Sequence, residues 1–423
     1  MTLIKTSLLN GIAVAIKMLT LLGLNKILAI YVGPSGYAAM GQFQNAVQMI
    51  TTLASGAINT GVTKYTAEYH DDEAKQHAVW RTAGTISLIG SILVAIGVIA
   101  FNKTLAGWFL KDESLGSIFI WFATTLVLFV FNTLLLAILN GKKEIQRYVT
   151  ANIAGSFFAL IVTTAMSVQL GLYGALVSLA VYQSLTFFVT LALTYKARWF
   201  EFSYMLGGIE KRAARNLMKF TAMALTSAAC GPLSHIFIRN YLGEGLGWDA
   251  AGYWEAMWRL SAAYLMLVTT TLSVYYLPKL SGLEEYKEIK KELLQGYKLI
   301  LPFAVICGFF MYVMRDFIIA LLFTSEFEDM AVLFGWQVLG DGLKIGSWLV
   351  AYLMLSKAMI RYLIFAEIGL AACFYLMTVV FTQHFGLKGV SIAYAVSYLV
   401  YWVFLVFVVS YFFKPRKHGA ACE

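Results

Sequence analysis

Residues Ala331 to Ser356 read AVLFGWQVLGDGLKIGSWLVAYLMLS. As a helix this stretch is about 39 Å long at about 1.5 Å per residue, enough to cross a hydrocarbon core of about 30 Å with room for tilt. Asp341 and Lys344 sit near its middle. A charge at the centre of a membrane helix costs about 2.5 to 3.5 kcal/mol on insertion scales, so both side chains need a partner, a protein interior or a water-filled cavity. Three residues apart, they lie about 60° from each other around the helix axis. Two readings follow, which do not exclude each other: a self-neutralising ion pair that lets the helix insert, and functional charges that face a cavity.

The rest of the chain repeats this pattern. Of its 423 residues 60% are hydrophobic and 13% charged, and the apolar runs are separated by short polar turns. The expected fold class is an all-α polytopic membrane protein, because the alternating pattern of a membrane β-barrel is absent. The net charge of +9 does not indicate nucleic acid, since the basic residues lie between apolar runs rather than along one soluble face. The first run, about Leu8 to Val32, is too long for a signal-peptide core and lacks a small-residue cleavage site, so it reads as a retained helix. Cys230, Cys307, Cys373 and Cys422 are not spaced as metal ligands or as a redox pair, and neither metal nor cofactor is expected.

Twelve spans are predicted, at about 8–32, 40–66, 82–101, 117–139, 149–169, 172–194, 219–241, 252–278, 297–314, 331–356, 360–383 and 387–413. With the N-terminus inside, 23 of the 32 Lys and Arg fall on the inner side, five (Lys103, Lys111, Arg239, Arg315, Lys388) on the outer side, and four within spans. That asymmetry places both termini in the cytoplasm. Residues 196–218 form a basic cytoplasmic linker and 281–296 an amphipathic interfacial segment, both read as membrane-surface anchors.

The two halves repeat weakly. Gly171-Leu-Tyr-Gly174 matches Gly386-Leu-Lys-Gly389 at an offset of 215, Lys103 to Leu110 resembles Asp316 to Phe323 at 213, and Gly36-Tyr37 matches Gly252-Tyr253 at 216. The expectation is two six-helix lobes, 1–195 and 219–423 with its cytoplasmic tail, related by a pseudo-two-fold axis along the membrane normal.

Four cations fall within spans, Lys17, Lys26, Arg259 and Lys344, with two acids, Glu255 and Asp341. Lipid-facing and unpaired, the four bases would together cost about 10 to 14 kcal/mol. Lys26 is near enough to the outer end of its helix to snorkel, whereas Lys17 is too deep. Nine residues apart, the two point to opposite faces unless the helix bends, for which Gly23 is the candidate. Glu255 and Arg259, four apart, are expected either to pair with each other or to leave Arg259 for a phosphate, which its planar fork fits. Gln42, Gln44, Asn45 and Gln48, with Asn59 further in, suit either sugar hydroxyls or helix-to-helix bonds. Gly231-Pro232 predicts a kink, and Gly342 with Gly346 a close helix contact. Phosphate loops, zinc-protease motifs and nucleophile elbows are absent.

Gly61-Val-Thr-Lys64-Tyr65 running to Glu68-Tyr69-His70, Leu272 to Leu280 (LSVYYLPKL) and Trp336 to Lys344 (WQVLGDGLK) resemble the Wzx flippases of undecaprenyl-diphosphate-linked oligosaccharides, especially the O-antigen and enterobacterial common antigen members. The resemblance covers essentially the whole chain. It implies the twelve-helix fold of the multidrug/oligosaccharidyl-lipid/polysaccharide (MOP) superfamily, two lobes around a cleft opening alternately to each side. It further implies movement of a lipid-linked sugar repeat across the bacterial inner membrane with ion coupling, and a polysaccharide polymerase and chain-length regulator as pathway partners. Lys64, Asp341 and Lys344 match family charged positions. Relatives commonly read Arg-[Ile/Leu]-Ser-acid-x-Tyr in the eighth span, whereas Arg259-Leu-Ser261-Ala262-Ala263-Tyr264 has Ala262 at the acidic place, so either Asp341 or Glu255 carries the coupling ion or coupling differs in this chain. The resulting expectation for the diphosphate is Lys17, Arg259 and Lys344, assisted by Lys26 and Lys64. For the sugar it is Gln42, Asn45, Gln48 and Asn59. A cation-coupled multidrug exporter of the same fold should show unpaired acids, and this interior has more bases than acids. A membrane-embedded polymerase or ligase should carry a long outer loop, and none is present.

Overall fold

The computed structural model describes residues 3–412 apart from positions 198, 277, 278, 281, 284 and 358. Arg198, Pro278, Cys422 and the basic tail from Lys414 therefore lie outside the described residues. Fourteen α-helices are assigned among the described ones, in the order α1 (Leu3–Tyr31), α2 (Gly33–Ala54), α3 (Asn59–Glu68), α4 (Glu73–Ala100), α5 (Asn102–Phe109), α6 (Gly116–Gly141), α7 (Ile145–Tyr195), α8 (Lys211–Leu246), α9 (Trp248–Thr271), α10 (Tyr286–Val313), α11 (Arg315–Leu322), α12 (Phe334–Ser356), α13 (Ile360–Phe385) and α14 (Lys388–Phe412).

Among the described residues, eight helices are long and apolar enough to cross a membrane. One of them, α7, is a hairpin of two: Gly171 leaves helical geometry (φ 55°, ψ −134°), and Ser178 on the second leg donates to Thr163 Oγ1 on the first at 3.0 Å. Helices α2, α8 and α9 are also of spanning length but carry more polar side chains. Counted so, the described helices are consistent with the twelve expected spans. Outward faces are apolar, as lipid requires: Leu299, Phe303, Ile306 and Phe310 of α10 recur every three or four residues and are exposed, Leu299 by 76%.

The repeat seen in the sequence is a repeat in geometry. Gly386, between α13 and α14, takes the conformation of Gly171 (φ 57°, ψ −143°). Three residues on, a Cβ at Gly174 would stand 2.0 Å from the carbonyl of Met166, and one at Gly389 would stand 2.4 Å from that of Phe381. Both turns therefore need glycine twice, once for positive φ and once for close approach. The short helices α5 and α11, eight residues each, are the second matched pair.

The chain clusters into two compact units: Met1–Ala256 with Phe317–Asp329, and Met257–Asp316 with Met330–Glu423. In the first, α6 packs on α4 and α7, α1 on α7, and α2 on α8. Its core gathers Val62, Trp80, Leu134, Ile138, Met205 and Leu217. In the second, α14 packs on α12 and α13, and α10 on α12, with Leu272, Tyr276, Ile345, Leu349 and Leu353 at the centre.

Several expectations are corrected. The second span is broken, α2 ending at Ala54 and α3 beginning at Asn59, with Gly56 and Ala57 at positive φ between them. The segment 196–218 is no simple linker. Gly207 exchanges hydrogen bonds with Thr85 of α4, Met205 packs its backbone on Gly84, and α8 begins at Lys211. The amphipathic segment before the ninth span is continuous with it as the start of α10. Helix α1 runs helical through Gly23. Close contact around Lys344 is made at Gly340, under Tyr394, and at Gly346, under Trp402, whereas Gly342 meets only Val305 at 3.7 Å.

Candidate functional site

In the first unit, a buried ion pair anchors the helices at the polar start of α2. Arg239 of α8, 2% exposed, donates from Nε and Nη2 to Glu255 Oε2 at 3.0 and 2.5 Å, and from Nη1 to Gln42 Oε1 at 3.4 Å. Gln42 Nε2 in turn donates to Asn240 Oδ1 at 2.7 Å, and the guanidinium lies 5.5 Å from the Trp254 ring centroid. Gly41 makes room for the pair, since a Cβ there would stand 2.6 Å from the Glu255 carboxyl carbon and 2.8 Å from the guanidinium carbon. The sequence reading did not foresee this pair: it counted Arg239 among the outer-side cations and considered only Arg259 as a partner for Glu255. Arg239 is a buried helix residue. The signal was legible, because Arg239 already falls within the predicted seventh span, 219–241, and α8 runs on to Leu246.

In the second unit, Asp341 is fully buried. Its Oδ2 accepts from Ser261 Oγ at 2.7 Å and from Tyr264 OH at 2.6 Å, and its Oδ1 accepts from Tyr394 OH at 2.7 Å. Ser261 and Tyr264 are three apart on α9 and therefore share a face. They are the Ser and Tyr of the eighth-span motif, and their task in this chain is to hold the carboxylate of α12. Ala262 is exposed on another face of α9, so an acid at that position would stand apart from Asp341.

Lys344 makes no ion pair with Asp341 within 4.0 Å among the described residues. Its ammonium sits instead among four rings, 4.6 Å from the centroid of Trp258, 5.0 Å from Trp348, 5.6 Å from Tyr398 and 5.9 Å from Tyr394. Cation–π attraction of about 0.5 to 2 kcal/mol per good contact replaces a counter-ion here. Tyr394 is shared: its hydroxyl serves Asp341 and its ring faces Lys344. The two residues share an aromatic side chain rather than a salt bridge. Spacing along α12 gives only Trp348, four residues on from Lys344, while Trp258 comes from α9 and Tyr394 and Tyr398 from α14.

The remaining expected cations have different fates. Lys17 is exposed on α1. Lys26 is committed to structure: Nζ donates to the carbonyls of Phe323 at 2.6 Å and Ala320 at 3.3 Å, closing the C-terminal end of α11. Lys64 is exposed, its ammonium 5.3 Å from the centroid of Tyr65. Arg259 is half-buried on α9.

The uncharged candidates divide. Gln42 is buried in the Arg239 network, and Asn45 donates to the carbonyl of Pro232 at 3.4 Å, so both serve helix contacts. Gln48 and Asn59, however, line a cavity of about 290 Å³ within the first unit, together with Gln44, Thr51, Tyr182 and Gln183.

The family model for polysaccharide biosynthesis proteins matches residues 3–284. The lipid III flippases of Escherichia coli (strain K12) and Shigella flexneri are each 31% identical to this chain over 404 residues, covering 95% of it and 97% of the relative. The chain belongs to the polysaccharide biosynthesis protein family. Solved structures extend the likeness to the fold. An inward-facing MATE family multidrug resistance transporter of the MOP superfamily aligns with a TM-score of 0.79 at 14% identity, over 95% of this chain and 96% of that one. The lipid II flippase MurJ, inward closed, aligns at 0.73 and 14% identity, over 96% and 87%. The superfamily fold expected from the motifs is the one observed, and the chain is a multi-pass membrane protein of that family.

Proposed function

We propose that this chain is a flippase that carries a lipid-linked oligosaccharide, joined to undecaprenyl through a diphosphate, from the cytoplasmic to the periplasmic leaflet of the bacterial inner membrane. The observation that carries the reading is the 31% identity with the lipid III flippases along almost the entire length of both chains. A bare diphosphate faces a large desolvation penalty in about 30 Å of hydrocarbon, and cations at membrane depth lower it. Lys344 is the foremost of these. Its rings hold it without a carboxylate at salt-bridge distance, so its charge is available to an anion. Lys17, exposed on α1, and Arg259 are the partners assigned to it. Lys26 and Arg239 are left to structure by their bonds.

Asp341 is the coupling group in this reading. A deprotonated carboxylate accepts from all three hydroxyls, whereas a protonated one adds a donor of its own, so one of the three must accept instead and turn its own hydrogen elsewhere. Tyr394 is the hydroxyl whose release would also alter the cage around Lys344. The two six-helix halves are the moving bodies, both termini are cytoplasmic as the lysine and arginine count demands, and a polymerase with its chain-length regulator takes the product. A multidrug exporter is disfavoured, because the likeness to drug transporters stands at 14% identity and speaks for the fold.

Lys17→Ala and Lys344→Ala are the test, with surface polysaccharide measured in a transporter-null strain at matched protein levels. Wild type restoring the polysaccharide and both variants failing supports the reading. Full export by both variants removes the diphosphate assignment, and no export by wild type removes the flippase.

A further inference from the structure

We infer that the uncharged cavity of the first unit is a carbohydrate subsite that takes a sugar of the lipid-linked substrate, an inference that rests on the flippase reading above. Nine of its twelve lining residues carry an amide or hydroxyl and none of the twelve carries a charge, which decides against two other ligands. Small-molecule sites for apolar compounds are lined predominantly by hydrophobic and aromatic side chains, and a diphosphate needs cations. Amides that both donate and accept, beside hydroxyls that do the same, match the alternating donors and acceptors of a sugar ring. Phe129 and Tyr182 add apolar ring faces for its C–H surface.

The wall is ordered, and part of it is unsatisfied. Asn132 Nδ2 donates to Gln183 Oε1 at 3.1 Å, and Gln183 Nε2 donates to Tyr182 OH at 3.1 Å, which sets the Gln183 amide in one orientation. Asn59 spends its amide hydrogen on Thr133 Oγ1 at 3.2 Å, and its buried Oδ1 has no partner; neither has the buried hydroxyl of Thr51. Each such orphan costs about 1 to 3 kcal/mol, which a ligand hydroxyl reaching it would relieve.

A second observation is independent of the side chains. The break between α2 and α3 falls at residues 55–58, with Ser55 and Asn59 on either side of it lining the cavity. Irregular backbone at membrane depth is tolerated where it is buried in protein or borders a wet cavity. This one pays for itself by turning Asn59 into the space. At about 290 Å³ the cavity lies just below the range of about 300 to 1,000 Å³ typical of ligand sites, room for about one or two sugar rings and not for a whole repeat.

The test uses the full chain in detergent and two probes, undecaprenyl diphosphate and the same lipid bearing one N-acetylglucosamine, with affinities compared by native mass spectrometry. Wild type is expected to prefer the glycosylated lipid about tenfold. Gln48→Leu, at an exposed position where folding is not at risk, and Tyr182→Phe, which keeps the ring, each lower that preference about threefold or more while binding of the bare lipid stays unchanged. Equal binding of both probes by wild type, or variants that leave the preference intact or weaken both lipids alike, would overturn the subsite and leave the flippase standing. Wild type that binds neither probe would overturn the flippase reading and the subsite with it.

Discussion

Replacing Glu255 by Gln probes the buried ion pair that joins α8 to α9. The side chains of Arg239 and Glu255 are 2% and 4% exposed, so solvent does not screen the loss. Removing one partner of a buried pair costs about 3 to 5 kcal/mol, most of it the penalty of leaving the other charge in a dry site. On the scale of about 2 to 4 °C per kcal/mol for domains of 150 to 250 residues, that is a fall in Tm of roughly 6 to 20 °C. The double variant Arg239→Met/Glu255→Leu removes both charges at similar volume, and such replacements are neutral or stabilising by about 1 to 4 kcal/mol. It should therefore recover most of the loss. Thermal unfolding of the detergent-purified protein, followed by tryptophan fluorescence, reads both. A Glu255→Gln variant with wild-type Tm, or a double variant no more stable than the single, would show that the pair is not what holds α8 to α9.

Other outcomes follow from the same geometry. Asp341→Leu orphans three hydroxyls and should cost about 3 kcal/mol or more, whereas Asp341→Asn keeps the shape and should abolish only the pH dependence of transport, measured as export rate across a proton gradient. Lys26→Met should raise hydrogen exchange in residues 315–327, with a loss of about 1 to 3 kcal/mol, and leave export intact. Gly41→Ala drives a methyl into the Glu255 carboxyl and should destabilise by about 1 to 3 kcal/mol in the same unfolding assay. Asp72 caps α4, and its pKa is lowered chiefly by the side-chain bond to Lys75 and then by the Lys75 backbone amide. A depressed carboxylate stabilises above its unfolded pKa of about 3.9 and loses that contribution as pH falls through the folded value. The stability gap between wild type and Asp72→Ala should accordingly be full at pH 7 and shrink below pH of about 4.

Much of the site was legible before the fold. Asp341 and Lys344 stood out because charge is costly in an apolar helix, and both proved to be the hubs of polar or aromatic clusters. What spacing suggested about their partners did not hold. Residues three or four apart on one helix invite pairing, but Asp341 bonds to hydroxyls of α9 and α14, and Glu255 has in Arg239 of α8 a partner that spacing along α9 does not reveal. Gln42 and Asn45 were indistinguishable from Gln48 and Asn59 by composition. Only the position of α8 on one side of α2, and of α6 and α7 on the other, separates structural amides from those lining the cavity.

Membrane class and the repeated glycine turns were determined by the sequence alone. Each follows from local physics: apolar length against bilayer thickness, and backbone angles only glycine adopts readily. Which cation lies among aromatic rings, as Lys344 does, and which closes a helix end, as Lys26 does, was decided by tertiary structure. A buried charge takes its meaning from the atoms within about 4 Å of it, and here those atoms come from helices tens to hundreds of residues away in the chain.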